Sequence, residues 1–306
     1  MSIATYRGRF APSPTGLLHA GSLSTAVGSY LEARCRGGQW LLRMEDLDPP
    51  REVPGAAADI LRTLEAFGFE WDGEVVYQSR RHDLYGDALR QLIASGHAYA
   101  CCCTRKEIAA AAQRGLDGYV YPGTCRNGCP DGRAGRAWRL RVTPGESVVR
   151  DRLQGEHRQN LARDIGDFVL LRADGFWAYQ LAVVVDDAEQ GVTDIVRGAD
   201  LLVSTPRQLA VYAALGLPAP TYCHLPVLTN EAGEKLSKQT LAPAISGADA
   251  ARQLRAALTL LGHAPPAECG DLAELWRWAL ASWSLASVPL GPLRLRVGSL
   301  PGVGLA

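Results

Sequence analysis

The chain has 306 residues, enough for one large domain or two modest ones with real cores. Hydrophobic residues make up 47%, an ordinary globular content, and no apolar run approaches the roughly 20 residues needed to span a bilayer. The N-terminus, MSIATYRGRF, lacks the apolar core of an export signal, and a net charge of zero argues against broad electrostatic binding of nucleic acid. A local basic groove stays possible at the Arg-rich stretches Arg80–Arg81, Arg133–Arg141 and Arg150–Arg163. The expectation is a cytoplasmic, monomeric protein.

Thr5–Phe10 predicts a first strand, after which Pro12, Pro14 and Gly16 break regularity. A helix is expected from about His19. Leu23, Ala26, Val27, Tyr30 and Leu31 recur at i, i+3, i+4, i+7 and i+8, and Gly37–Gly38 ends the pattern. Gln39–Glu45 predicts a second strand and Pro54–Phe67 a second helix, with Gly68 as its stop. Strand, helix, strand, helix opens a parallel α/β sheet. Residues 1–95 are assigned to the first half of such a domain.

From 96 to 165 the chain is rich in Cys, Gly and Arg, and is read as an insertion. The second half, 166–240, resumes with Leu181–Val185 as a buried parallel strand and Pro206–Leu215 as a helix. Residues 241–306 predict a short helical part holding Trp276, Trp278 and Trp283, with Ser299–Ala306 fraying.

Three features carry chemistry. The turn Pro12–Gly16, followed by His19 and Gly21, brings backbone close to a ligand and opens a helix whose N–H groups favour anions such as ATP phosphates. Only Lys106, Lys235 and Lys238 are lysines among 32 basic residues, and two of them fall inside KLSKQ, where a compact ammonium suits a polyphosphate. Five of eight cysteines share one window: Cys101, Cys102, Cys103, Cys125 and Cys129. Without an export signal these read as metal ligands before disulfides. Cys101, Cys103 and Cys125 plus one further donor make a tetrahedral zinc site, for which Cys129 is a four-thiolate candidate and Cys102 a bystander. Asp186–Asp187 could hold Mg²⁺ at a strand end, though a structural or RNA-positioning role weighs more.

PSPTGLLHAGS is similar to the HIGH-type motif of class I aminoacyl-tRNA synthetases, and KLSKQ to their KMSKS-type motif. RFAPSPTG, RMEDLDPPRE, FWAYQLAVVVDD and GVTDIVRGADLL resemble the glutamyl branch over roughly residues 5–245, and the short length and Cys cluster resemble its truncated, queuosine-glutamylating relatives. The resemblance implies a Rossmann-like α/β catalytic domain with a zinc-bearing insertion. It implies His19, Gly21 and Lys238 at the ATP phosphates, with Lys235 beside them in the second motif and magnesium arriving with ATP. Arg9, Phe10, Ala11, Pro12 and Ser13 would line the glutamate pocket, Glu45 would hold the α-ammonium, and Tyr179 and Arg197 would surround the side-chain carboxylate. Tyr121 would be the fourth zinc ligand, beside the Cys129 alternative. Ser22 and Gln239 depart from the two motifs without touching His19 or Lys238.

About 67 residues follow Gln239, too few for a large anticodon-binding domain. The resemblance then implies that the acceptor is queuosine in the anticodon of tRNA(Asp). A reduced enzyme that charges the 3′ end of tRNA(Glu), and a non-catalytic RNA-binding paralogue, are the alternatives.

Overall fold

The structure, a computed structural model, describes residues 5–229 and 244–294. The first four elements form within about two residues of their expected positions: β1 (Arg7–Phe10), α1 (Ala20–Arg34), β2 (Gln39–Met44) and α2 (Ala56–Ala66). β3 (Val76–Tyr77) and α3 (His82–Ala94) follow. The next segment holds β4 (Ala98–Cys101), α4 (Arg105–Ala111), the small hairpin β5 (Arg114–Gly115) and β6 (Gly118–Tyr119), and β7 (Ala137–Leu140). Then come the hairpin β8 (Ser147–Asp151) and β9 (Gly155–Gln159), α5 (Leu161–Asp164) and β10 (Val169–Leu171). The chain continues through α6 (Tyr179–Glu189), β11 (Asp194–Gly198), α7 (Thr205–Leu215), β12 (Thr221–Leu225) and β13 (Leu228–Thr229). It closes with α8 (Ala250–Leu260), α9 (Leu272–Ser282) and β14 (Leu293–Arg294).

β1, β2 and β3 pair in parallel, as do β11 and β12. β1 and β11 lie side by side, with the Thr193 N–H donating to Arg7 O at 2.9 Å. The lateral order β3-β2-β1-β11-β12 is that of a Rossmann-type sheet, and β1 and β11 flank its switch point, where ligands bind beyond the carboxyl ends of the strands.

The interrupting segment forms its own antiparallel sheet, β10-β7-β4. Two boundaries differ from the sequence reading. β8 and β9 extend the main sheet, because β8 pairs in parallel with β12, while β10 joins the small sheet. The insertion and the catalytic sheet therefore interleave along the chain.

The strand expected over Leu181–Val185 is instead the middle of α6. Every residue from Gln180 to Asp187 is buried, so the helix is covered on all sides and carries no amphipathic period. A short apolar run of branched residues cannot be told from a strand by pattern alone. Asp186 and Asp187 accordingly sit on a helix and not at a strand end.

The expected C-terminal helices exist as α8 and α9, and they complete the core of the first half. Trp276 joins Tyr30, Trp40 and Phe69 in one aromatic cluster, with Tyr30–Trp276 centroids 5.0 Å apart. The Trp276 indole N–H donates to Phe67 O at 2.8 Å, and that of Trp283 to the buried Glu32 carboxylate at 2.8 Å. No helix among the described residues is long and apolar enough to cross a membrane. The fraying expected for Ser299–Ala306 lies outside the described residues.

Candidate active site

A cavity of about 720 Å³ opens at the switch point. Ten of the site residues expected from sequence line it: Arg9, Phe10, Ala11, Pro12, Ser13, His19, Gly21, Glu45, Tyr179 and Arg197. They come from the ends of β1, β2 and β11 and from the starts of α1 and α6, which the sheet order brings together. Lys235 and Lys238 lie outside the described residues.

The turn after β1 uses Gly16 at φ 130°, a conformation that favours glycine. His19 then caps α1. Its Nδ1 accepts the backbone N–H groups of Gly21 at 3.1 Å and Ser22 at 3.3 Å. This corrects the expectation that the first-turn amides stand open for phosphate: two of them are taken up by the imidazole. The same bonds make Nδ1 the accepting nitrogen, which leaves the ring's N–H on Nε2.

One wall of the cavity is built on buried charges. Arg9 pairs with Asp187 through Nε at 3.0 Å and Nη2 at 3.3 Å. Arg43, with no exposed surface, donates to Asp187 at 2.7 Å and approaches Glu45 at 3.4 Å. Burial alone would raise the Asp187 pKa, but Arg43 and Arg9 hold it below its ordinary value. Burial lifts the Glu45 carboxyl above its ordinary value despite Arg43 and Arg9. An incoming ammonium would restore its charged form. From β11, the strand beside β1, Arg197 Nη1 donates to the Tyr179 hydroxyl at 3.3 Å, and its Nε donates to His224 Nε2 at 3.0 Å. The cavity thus offers the guanidinium groups of Arg9 and Arg197 together with the carboxylates of Glu45 and Asp200, a set of charges suited to a small zwitterion that carries an additional carboxylate.

Asp186 accepts from Gln78 at 2.6 Å, Arg81 at 2.6 Å and Tyr85 at 2.9 Å, so both adjacent aspartates serve buried networks. Sequence reasoning missed Arg43, although it lies two residues before Glu45 on the same strand face. It also missed His224 and Asp151, which carry no local signal.

The cysteines gather in the insertion. The Sγ atoms of Cys101, Cys103 and Cys125 lie within 4.8 Å of one another. The Tyr121 hydroxyl sits 3.3 Å from Cys101 Sγ and 3.5 Å from Cys103 Sγ, and Cys103 and Cys125 are 3.5 Å apart. Tetrahedral zinc with metal–sulfur bonds of about 2.3 Å needs ligand separations of about 3.8 Å, close to these. Cys129 instead groups with Cys102 and Cys125. The Cys125 N–H donates to the Tyr121 oxygen at 3.0 Å, fixing the phenol in the cluster. Burial opposes ionisation of Cys125, but hydrogen bonds from Tyr121 and neighbouring groups bring its pKa down to about 6.

The family described as tRNA synthetases class I (E and Q), catalytic domain, matches residues 5–268. A glutamyl-Q tRNA(Asp) synthetase of Chromobacterium violaceum is 85% identical over 295 residues, covering 96% of this chain and 99% of that protein. Its counterpart in Neisseria meningitidis serogroup C is 59% identical over 288 residues, covering 93% and 97%. The crystal structure of a glutamate tRNA ligase from Elizabethkingia meningosepticum, in complex with its amino acid, superposes with a TM-score of 0.80 at 25% identity, covering 97% of this chain and 68% of that one. Fold, cavity and relatives agree: the chain belongs to the class I tRNA synthetases of the glutamyl and glutaminyl type, in the glutamyl-Q tRNA(Asp) synthetase family.

Proposed function

We propose that this enzyme activates L-glutamate with ATP and transfers it to the queuosine base in the anticodon of tRNA(Asp). The observation that carries the reading is the single cavity holding Arg9, Glu45, Tyr179 and Arg197 beside His19 and Gly21. Its relatives bear the same activity in their names.

Glu45 receives the α-ammonium, and Arg9 and Arg197 face the carboxylates. Glutamine would leave a buried guanidinium without its anion, which is how the site rejects it. The α-carboxylate attacks the α-phosphate of ATP in line, and the bond to the β,γ-pyrophosphate breaks. His19, through Nε2–H, and Lys238 stabilise charge on the phosphates, with Lys235 close by in KLSKQ. Magnesium enters with ATP. A hydroxyl of the queuosine cyclopentenediol then attacks the acyl carbon of glutamyl-adenylate and releases AMP. The protein works as a monomer in the cytoplasm. The reading is tested by following labelled glutamate into tRNA(Asp) with and without queuosine, where label should track the modified base.

Cys101, Cys103, Tyr121 and Cys125 hold a structural zinc. They tie β4 to the loop before β7 and so stiffen the insertion. Protein purified under reducing, chelator-free conditions should contain about one zinc per chain. Cys125→Ser should lose it and lower thermal stability, while Cys129→Ser should keep it. Full zinc retention in Cys125→Ser would contradict this ligand set.

A further inference from the structure

Arg197 is held by a buried chain of hydrogen bonds that ends on a carboxylate. β11 and β12 pair with Arg197 directly opposite His224. The Arg197 Nε–H donates to His224 Nε2 at 3.0 Å, so that nitrogen carries no proton. The imidazole proton therefore sits on Nδ1, which lies 2.6 Å from Asp151 Oδ2. Asp151 Oδ1 accepts the His224 backbone N–H at 3.1 Å and that of Gln154 at 2.8 Å. One carboxylate thus fixes both the ring and the strand beneath it. Arg197 Nη2 donates to Thr205 Oγ1 at 2.9 Å. Nη1, which reaches Tyr179, is the part of the guanidinium with the least committed geometry, and Arg197 lines the cavity.

We propose that Asp151 and His224 are positioning residues for substrate selection: neutral His224, held as its Nδ1–H tautomer by Asp151, aims Arg197 at the substrate's side-chain carboxylate, and protonation of His224 releases that aim. The proposal rests on the reading of the cavity as a glutamate site. Neither residue lines that cavity, so their effect passes through Arg197.

The chemistry is that of a required acceptor. An imidazolium would present an N–H to the Arg197 N–H and place two cations in contact. The groups facing His224 are Asp151 from β8, Arg197 from β11, Asp200 from the segment after it and Thr205 from α7, whose Oγ1 lies 3.3 Å from Nε2, with Tyr222 stacked at 6.0 Å from its own strand. Burial pushes protonation of His224 down, as does Arg197, against the pull of Asp151 and Asp200, and the net shift is below the ordinary value of 6.5. His224 is therefore neutral at pH 7, and the substrate KM should rise as pH falls below 6.5 and the ring takes up its proton.

The test is glutamate-dependent exchange of pyrophosphate into ATP at saturating Mg·ATP, followed from about pH 8 to 5, across the ordinary imidazole range. His224→Gln puts a non-titrating amide oxygen near the place of Nε2, His224→Leu removes the acceptor, and Asp151→Asn removes the charge that sets the tautomer. At neutral pH His224→Leu and Asp151→Asn should raise the glutamate KM about 10- to 100-fold with a smaller change in kcat, as for loss of a hydrogen bond to a charged group. His224→Gln should stay close to wild type there and lack the acid rise in KM that wild type shows. That last comparison uses two folded proteins and stands even if His224→Leu is unstable. An unchanged KM in folded His224→Leu, or the same acid rise in His224→Gln, would overturn the relay while the glutamate reading survives. Absence of glutamate-dependent exchange in wild type at every pH would refute the glutamate reading itself, and the relay with it.

Discussion

Asp187→Ala is expected to cost about 3–5 kcal/mol of folding stability and to remove glutamate activation. The aspartate is 1% exposed and sits between Arg9 at 3% and Arg43 at 0%. Removing it strands two guanidinium groups in a place with little water. It also loosens the wall that carries Arg9 and Glu45, because Arg9 lines the cavity and Arg43 contacts Glu45. Asp187→Asn keeps the shape and loses the charge, so it should show most of the same loss if electrostatics dominate. Urea unfolding measures the stability and pyrophosphate exchange the activation. Wild-type values in Asp187→Asn would refute the charge argument. The pH dependence has a fixed sign. The folded carboxyl titrates below its ordinary value of 3.8, so its contribution is complete above that value and is lost as pH falls further.

Lys238→Ala should lower the activation rate by roughly 10²–10³-fold, the usual cost of removing one donor from developing transition-state charge. The fold should be unchanged, since the role assigned to this ammonium is to meet a polyphosphate and not to pack a core. Pyrophosphate exchange reads the rate, and thermal unfolding reads the fold. Lys238→Arg should recover only part of the activity, because a planar fork is a poor replacement for a point charge on a polyphosphate. A wild-type exchange rate in Lys238→Ala would remove the phosphate role from the second motif.

Which parts of this site are legible in the chain depends on how local their signals are. α1 is visible because Leu23, Ala26, Val27, Tyr30 and Leu31 recur at helical spacing with small or polar residues between them, although most of the helix is buried. α6 is not, because Leu181–Val185 is an unbroken apolar run with no such spacing. Glu45 stands out within RMEDLDPPRE, yet Arg43 needs the strand geometry to be seen beside it. Tyr121 and Cys129 are equally spaced around Cys125, so spacing cannot choose between them. The phenol lies beside Cys101 and Cys103, which supports Tyr121 in the proposed zinc site. His224 is invisible until β11 and β12 are in register, since it stands on a different strand from Arg197 and no motif links the two in the chain.

The acceptor is the most specific element of the account, and one measurement addresses it. Enzyme, ATP and labelled glutamate are incubated with tRNA(Asp) carrying queuosine, with tRNA(Asp) lacking it, and with tRNA(Glu). The account predicts label on the first alone. Label on both forms of tRNA(Asp), or on tRNA(Glu), would contradict it.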